Sequence, residues 1–310
     1  MMRQKKQIMK SEPTRNPIEW QTLLVIASVY AVLGLLVWFH NVLPWWIIMP
    51  IGTYAATLHS SLQHEVLHGH PTRLRWLNEA LVFITPSFWL PYQRYKETHL
   101  THHNNANLTD PEKDPESYYL LPNTWAQSSA LKQLLFAVNQ TLGGRMLIGP
   151  AISIVRFWSA ELRDVIKGDR SKAKAWLHFA VSAAITLSYV AWCGMPLWKY
   201  YLLIAYPGIS FALVRSYCEH QAAEEINHRT IVVECSAFWS LLFLNNNLHI
   251  AHHERPALAW YRLPAYYKSE RDALIRQNNG YRMSYAQMFR RYFLKAKEPI
   301  PYPNIDWLQR

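Results

Sequence analysis

Short, repeated histidine patterns constrain this chain more than any other feature. The five-residue pattern H-x-x-H-H occurs at 99–103 and again at 249–253, and an H-x-x-x-H pattern occurs at 64–68. Residues three and four apart share one face of a helix, so we expect each pattern to aim two or three imidazoles at one point. Imidazole is the commonest protein ligand of borderline transition metals. Fourteen histidines scattered over 310 residues would rarely produce two copies of so specific a pattern, so a metal site is predicted.

The number of histidines in these patterns predicts two metal ions. The residues are His64, His68, His99, His102, His103, His249, His252 and His253. Eight imidazoles exceed the four ligands of a single zinc ion. The three cysteines form no C-x-x-C pattern and are odd in number, which argues against a disulfide framework and against a cysteine metal site.

Two long stretches of low charge predict a membrane-embedded protein. No Asp, Glu, Lys or Arg occurs in the 45 residues from Trp20 to His64, enough for two helical passes of about 20 residues each. A second stretch, from Ala175 to Val214, is interrupted only by Lys199. We predict an all-α integral membrane protein that forms one domain over 1–310, with four transmembrane helices in two hairpins. The predicted spans are 21–39, 44–63, 176–194 and 198–217.

The basic residues predict how these spans are oriented. Most of the 32 Lys and Arg residues lie in the N-terminal segment and in 64–175 and 218–310, whereas the predicted turns carry none or one. By the positive-inside rule, both termini and these two segments are cytoplasmic, and the segments form a helical cap that holds the metal site. The net charge of +11 then faces anionic lipid headgroups, and no motif for nucleic-acid binding accompanies it.

All the histidine patterns fall on the same predicted side of the membrane. The first lies at the inner end of the second span, the next in the cytoplasmic segment that follows, and the last about 30 residues after the fourth span. Ligands of one metal site must lie on the same side of the membrane, so this arrangement allows the three patterns to form a single site.

Three motifs carry a resemblance to a known family. HEVLHGH at 64–70, HLTHHNN at 99–105 and NNNLHIAHHERP at 245–256 resemble the histidine boxes of the integral-membrane fatty acid desaturase and hydroxylase superfamily, in its bacterial fatty acid desaturase type. The resemblance covers about 59–262 and includes DPES at 114–117. It implies two non-haem irons, dioxygen as co-substrate, and a fatty acyl chain from the bilayer that gains a double bond. It also implies a bacterial inner membrane and a separate electron donor, ferredoxin-like or similar, with its reductase.

The sequence departs from the animal stearoyl-CoA type of this superfamily at two points. Its first box is H-x-x-x-H where that type has H-x-x-x-x-H, and Ser216 stands where that type has asparagine. Both departures count against an acyl-CoA substrate. His220 precedes His249 by 29 residues, a spacing similar to that of the extra histidine ligand in the stearoyl-CoA type. We therefore predict His220 as the ninth ligand, with Arg215 one turn earlier at the level of the headgroups.

Other reactions and roles stay open at this point. A hydroxylase or oxygenase of the same superfamily could act on an alkane, a sphingolipid or a carotenoid, and a histidine-rich metal transporter is a more distant alternative. His70 is a further possible ligand, whereas His59 is expected to pack inside the second span. Several polar residues adjoin the boxes and are candidates to bind the second ring nitrogen of a ligand. They are Glu65, Asp110, Asp114, Glu219, Glu254 and Asn245 to Asn247.

Overall fold

A computed structural model describes residues 18–103 and 105–303 of the chain, and these residues are mostly helical. The terminal segments that we predict to be cytoplasmic, 1–17 and 304–310, lie outside the described residues. The first eight helices are α1 Trp20–Trp38, α2 Trp45–Leu67, α3 Arg75–Leu81, α4 Tyr92–His102, α5 Pro122–Ala126, α6 Ala130–Asn139, α7 Leu142–Leu147 and α8 Gly149–Ile166. The next seven are α9 Arg170–Trp192, α10 Leu197–Tyr200, α11 Tyr206–Glu219, α12 Ala237–Leu242, α13 His249–Glu254, α14 Leu263–Gln277 and α15 Tyr285–Tyr292.

A small amount of non-α structure departs from the all-α prediction. Two-residue strands β1 Val232–Val233 and β2 Arg282–Met283 pair in parallel, and 3-10 turns cover Asn105–Asn107 and Ile226–His228. A π-helical turn, Tyr201–Ala205, joins α10 to α11. The short strand pair satisfies backbone groups where the segment after α11 meets the segment after α14.

Three helices within the described residues are long and apolar enough to cross a membrane. They are α1, α9 and the continuous run Leu197–Glu219 that joins α10 to α11. Their outer faces present large apolar side chains, among them Leu24, Leu177 and Leu202, each more than half exposed. A soluble protein rarely exposes apolar surface of this extent, and the chain is therefore a membrane protein.

The helix that corresponds to the predicted span at 44–63 has a different character. α2 starts apolar, but its second half carries buried polar residues that bond to neighbouring helices. The Thr57 hydroxyl donates to the Gly208 carbonyl at 3.1 Å, and the Ser61 hydroxyl donates to the Leu242 carbonyl at 2.8 Å. Because these polar residues lower its mean hydropathy, α2 is not among the three helices of the described chain that are apolar enough to cross a membrane. Its passage through the membrane and the two-hairpin arrangement remain predictions.

Close packing of α2 against α11 positions part of the site. A Cβ atom on Gly208 would lie 2.6 Å from the Cβ of Ala56, and one on Gly52 would lie 2.7 Å from a side-chain carbon of Ile204. Small residues at such positions let two helix backbones approach closely. The contacts advance in the same direction along both helices, so α2 and α11 run parallel. Their C-terminal ends, which carry His64 and His220, therefore lie side by side.

Candidate metal centre

The nine histidines predicted as ligands lie in two groups. Within each group, one ring nitrogen of every residue lies within 4.8 Å of the corresponding nitrogen of all the others. The five-histidine cluster consists of His64, His68, His99, His103 and His252. The four-histidine cluster consists of His102, His220, His249 and His253. His102 in the four-histidine cluster is next to His103 of the five-histidine cluster in the sequence, so the two clusters are neighbours.

Each H-x-x-H-H pattern divides its histidines between the two clusters. On α4, His99 and the His103 that caps it belong to the five-histidine cluster, whereas His102 belongs to the other. A residue four positions along a helix is rotated by about 40° and one three positions along by about 60° the other way, so the two side chains diverge. The pattern therefore aims two of its three imidazoles at one point, within the predicted two or three, and sends the third to the neighbouring cluster.

The second copy of the pattern divides in the opposite sense. His249 and His253, four residues apart on α13, belong to the four-histidine cluster, and His252 belongs to the five-histidine cluster. Each copy thus gives two imidazoles to one cluster and one to the other. The same helical rotation, applied to two helices that face each other, builds two sites from two copies of one motif.

In the four-histidine cluster, three imidazoles have their Nδ1 atoms held by acceptors. His102 Nδ1 lies 2.9 Å from the Asp114 carboxylate, and His220 Nδ1 lies 3.2 Å from the carbonyl oxygen of Arg229. The Nδ1 of His249 lies 3.2 Å from the side-chain oxygen of Asn246. A carboxylate and a carbonyl only accept hydrogen bonds, so each Nδ1 carries a hydrogen, and the lone pair of a ring that has lost any second proton lies at Nε2.

The Nε2 atoms of this cluster point at one another. The Nε2 of His220 lies 3.0 Å from that of His102 and 2.9 Å from that of His249. The Nε2 atoms of His249 and His253 are 3.1 Å apart. Facing lone pairs repel unless a cation lies between them, so the tautomers imposed by the Nδ1 contacts fit a metal ion at the centre of this cluster.

The five-histidine cluster shows the same convergence. The Nε2 of His103 lies 2.9 Å from that of His99 and 3.1 Å from that of His252. The Nε2 atoms of His64 and His68 are buried and have no hydrogen-bond partner among the described residues. A buried polar atom left without a partner costs about 1–3 kcal/mol, and a metal ion removes that cost for both.

The distances between the ring nitrogens are also close to those expected between ligands of one metal ion. Two neighbouring donors of an octahedral ion with metal–nitrogen distances of about 2.1 Å lie roughly 3.0 Å apart, against roughly 3.4 Å in a tetrahedron. The closest Nε2 pairs in the two clusters are 2.9 to 3.1 Å apart. The residues of each cluster therefore fit a shared metal ion.

The electrostatics of the site favour neutral imidazole in most of these residues. Burial lowers the pKa of His249, His252 and His253 well below its usual range, and neighbouring imidazoles lower it further. His102 differs: burial opposes its protonation, but Glu116 and Asp114 together raise its pKa to about 9. A metal that binds His102 must therefore displace a proton.

The structure places only some of the candidate polar residues beside a ligand. Asp114 contacts His102, and the Glu219 carboxylate lies 3.5 Å from His249 Nδ1. Asn246 donates to Glu219 through its amide nitrogen, which turns its oxygen toward His249. The remaining candidates act elsewhere: Asp110 accepts the backbone N–H of Glu112, Glu65 accepts that of Trp260, and Glu254 accepts the Tyr266 hydroxyl.

Glu116 is the carboxylate that sequence reasoning missed. Its Oε1 lies 2.8 Å from His99 Nδ1. Burial raises its pKa, but the adjacent His99 and His102 more than offset this and lower the pKa far below the usual range, so Glu116 is ionised. It lies within the DPES segment, seventeen positions after His99, and no helical spacing connects the two. Only the return of the loop over α4 brings them together.

His70, His59 and Arg215 have roles outside the two clusters. His70 Nδ1 lies 2.7 Å from Glu19, and with Glu65 these residues form a buried group of their own. His59 lies 3.0 Å from the Tyr30 hydroxyl inside the helical core, as expected. Arg215 is largely buried and its Nε lies 3.3 Å from Glu219, so its predicted position among the headgroups is wrong. The buried Glu219 carboxylate draws the guanidinium inward.

Comparison with known proteins agrees with this geometry. Residues 41–285, which include all nine histidines, match the family described as fatty acid desaturase. A search of curated proteins finds no match. The family match covers most of the chain and confirms the resemblance carried by the three boxes. The chain belongs to the fatty acid desaturase family.

Proposed function

We propose that this protein is a membrane-bound, dioxygen-dependent di-iron oxidoreductase that introduces a double bond into a fatty acyl chain. The observation that carries the proposal is the convergence of imidazole lone pairs in two adjacent clusters. In the four-histidine cluster, His102, His220 and His249 are fixed in the tautomer that binds a metal. Family membership supports oxidative chemistry on a lipid.

Each cluster would hold one iron through the Nε2 atoms of its histidines. Iron with imidazole ligands activates dioxygen for the removal of hydrogen from an unactivated C–H bond. The chain's own residues hold the ligands in place: Asp114 and Glu116 orient His102 and His99, and Asn246 orients His249. Burial of these groups excludes water from the centre.

The electron balance of this reaction requires a donor of two electrons. Formation of a double bond removes two hydrogens from the chain, and reduction of dioxygen to two waters takes up those and two further electrons with two protons. The matched family domain covers most of the chain, and the sequence has no H-P-G-G motif of a fused haem domain. We propose a ferredoxin-like or similar donor with its reductase, acting at the cytoplasmic face of a bacterial inner membrane.

The topology of the proposal follows from the paired ends of α2 and α11. Both helices end at the site, so a chain that crosses the membrane four times in two hairpins places the site and both termini on one side. The positive-inside rule assigns that side to the cytoplasm. The substrate would then enter from the bilayer between the spans and meet the two irons from the membrane side.

Hydroxylation is the alternative within the same family, because a first hydrogen abstraction is common to both reactions. An alkane, a sphingolipid or a carotenoid would then be the substrate. A metal transporter is disfavoured, because transporters place ionisable ligands at bilayer depth within the spans, whereas these clusters lie at helix ends and in the α4 and α13 segments.

Lipid analysis of cells with and without the protein tests the proposal. We expect lipids with one additional double bond to appear with the protein. A gained hydroxyl or an altered pigment would assign the alternative reactions. Purified protein should hold tightly bound iron near two per chain, and it should be inert with dioxygen until a reductant is added. Exchangeable zinc in place of iron, or turnover without an electron source, would contradict the proposal.

A further inference from the structure

His220 lies at the point where the chain leaves α11. The helix ends at Glu219, and the backbone of His220 is extended, which turns the chain away from the helix axis. The last carbonyl groups of a helix have no donor within the helix and need one from elsewhere. The backbone N–H of Gln221, which would reach Tyr217 if the helix continued, donates instead to the Arg229 carbonyl at 3.1 Å. The end of α11 therefore depends on donors from other segments.

Lys297 supplies such a donor from the segment that follows α15. Its Nζ donates to the carbonyl oxygen of Tyr217 at 2.8 Å and also to the carbonyl oxygen of His220 itself. A cation beside the last carbonyl groups of a helix also interacts favourably with the negative end of the helix dipole. Lys297 therefore caps α11 at the residue that contributes an imidazole to the four-histidine cluster.

The surroundings of Lys297 stabilise a buried ammonium group. Its side chain is only 4% exposed, and burial of a charge is costly unless the charge is paired and hydrogen-bonded. The Glu298 carboxylate lies 3.3 Å from Nζ. The rings of Tyr118 and Tyr217 have their centroids 5.7 and 5.1 Å from the same atom, within the range of a cation–π interaction. The ammonium therefore has both a counter-ion and aromatic partners.

Glu298 and Tyr118 extend this support to the residues around His220. The Tyr118 hydroxyl lies 3.3 Å from both the His220 carbonyl oxygen and Oε2 of Glu298. The other carboxylate oxygen of Glu298 accepts the backbone N–H of Ala222 at 2.9 Å. The C-terminal segment therefore contacts the backbone on both sides of the His220 side chain, through Lys297 at the helix end and Glu298 just beyond it.

We propose that Lys297 is a positioning residue for the metal ligand His220. The carbonyl of Arg229 orients the imidazole through Nδ1, and Lys297 holds the backbone from which that imidazole projects. A ligand that is held before the metal binds loses less freedom on binding, so the metal is bound more tightly. The inference rests on the metal centre of the proposed function, and it adds a residue from outside the matched region 41–285.

Lys297→Met tests this role, because methionine keeps an unbranched side chain but lacks the ammonium. Full-length, metal-free protein in detergent is titrated with Co²⁺, whose visible absorption reports its ligands. The titration is made in two backgrounds: His252→Ala leaves the four-histidine cluster intact, and His102→Ala leaves the five-histidine cluster intact. We expect Lys297→Met to weaken Co²⁺ binding about tenfold in the first background and to leave it unchanged in the second. Lys297→Arg, which keeps a cation, should restore part of the affinity.

Ile300→Val is the matched control for a purely structural role of the C-terminal segment. Ile300 is buried in the same segment, and its side chain is apolar. Loss of one methyl group weakens the packing of the segment without changing a hydrogen bond to the end of α11. The control should lower the melting temperature but keep the Co²⁺ affinity and the Co²⁺ spectrum of the protein that carries isoleucine.

Glu298→Gln keeps the inference testable if Lys297→Met does not fold. It retains the lysine but removes its counter-ion, so we expect a smaller loss of Co²⁺ affinity, confined to the His252→Ala background. Unchanged affinity in Lys297→Met or, failing that variant, in Glu298→Gln would overturn the inference. An equal loss in both backgrounds, or an equal loss in Ile300→Val, would also overturn it.

The same titration separates this inference from the proposed function. Failure of the wild-type protein to bind two Co²⁺ ions would overturn the metal centre, and the role of Lys297 with it. Metal binding without lipid oxidation by the iron-loaded wild type would overturn the proposed reaction alone. The dependence of Co²⁺ affinity on Lys297 would still be measured in that case, because the titration requires no turnover.

Discussion

The two histidine clusters differ in how firmly the protein holds them. In the four-histidine cluster, His102, His220 and His249 are buried and each ring is fixed through Nδ1 by an acceptor. In the five-histidine cluster, the contact of His99 with Glu116 is the one of this kind among the described residues. His68 and His103 are partly exposed, and so is His253 in the four-histidine cluster.

This difference indicates that the protein fixes most ligands of the four-histidine cluster before a metal binds. In the five-histidine cluster, more of the ligands become ordered only when the metal binds. Ligands that are fixed before the metal binds lose little freedom on binding, so the four-histidine cluster should bind its iron more tightly. The contrast can be tested in four ways.

Removal of one ligand from each cluster should have the largest effect. Each H-x-x-H-H motif gives two histidines to one cluster and a single histidine to the other. His102→Ala deletes this single histidine from the four-histidine cluster, and His252→Ala deletes it from the five-histidine cluster. We expect each variant to lose more than about a hundredfold in activity, because loss of a ligand exceeds the effect of losing the residue that orients it. Membrane insertion should be unaffected in both. Near-normal turnover in either variant would show that the two-cluster centre is not the active site.

His220→Ala tests whether a histidine outside the three boxes is a full member of the four-histidine cluster. Its Nε2 lies between those of His102 and His249, so we expect iron content and activity to fall as far as in His102→Ala. His228→Ala is the control, since His228 lies in the following 3-10 turn and its ring packs against Tyr281, 6.4 Å away. Full iron and normal turnover in His220→Ala would remove it from the ligand set.

Asp114→Asn and Glu116→Gln compare the groups that orient a ligand in each cluster. Asp114→Asn should lower iron affinity about 10- to 100-fold at the four-histidine cluster, and Glu116→Gln should do so chiefly at the five-histidine cluster. We expect the larger loss for Glu116→Gln, because the four-histidine cluster keeps the contacts of His220 and His249 when Asp114 is changed. Iron titration measures both affinities.

Asp110→Asn provides the matched control for that pair of variants. Asp110 lies in the same loop and accepts the backbone N–H groups of Glu112 and Lys113. Its replacement perturbs the loop without changing a contact to an imidazole, so iron affinity should stay at the wild-type level. An equal loss in all three variants would show that the loop, and not the carboxylate contacts, determines affinity.

Removal of iron by a chelator should show the smallest of these effects, but it compares the two clusters directly in one protein. We expect two phases, with a several-fold faster release from the five-histidine cluster because its ligands are more exposed and less firmly held. His252→Ala, which weakens that cluster, should retain mainly the slow phase. Iron remaining after timed dialysis against the chelator measures both rates. Release of both irons in a single phase would contradict the difference between the clusters.

Periodicity and charge alone predicted much of the fold. The spans at 21–39, 176–194 and 198–217 correspond to apolar helices, because a long uncharged run has few alternatives to a membrane helix. The span predicted at 44–63 corresponds to α2, which is not among these apolar helices, because it combines an apolar first half with polar residues whose partners, such as Gly208 and Leu242, are distant in sequence. Glu116 and Arg215 were missed or misplaced for the same reason.

The sequence by itself determined which histidines could serve the site. Spacings of three and four residues place imidazoles on neighbouring helical faces, and this follows from the helix alone. The family resemblance added His220 to the set. Only the tertiary structure decided which histidine joins which cluster, because that depends on where α4 and α13 lie around the paired ends of α2 and α11. It also decided the tautomers, since Asp114, Asn246 and the Arg229 carbonyl reach their imidazoles through folded loops, whose paths no local spacing encodes.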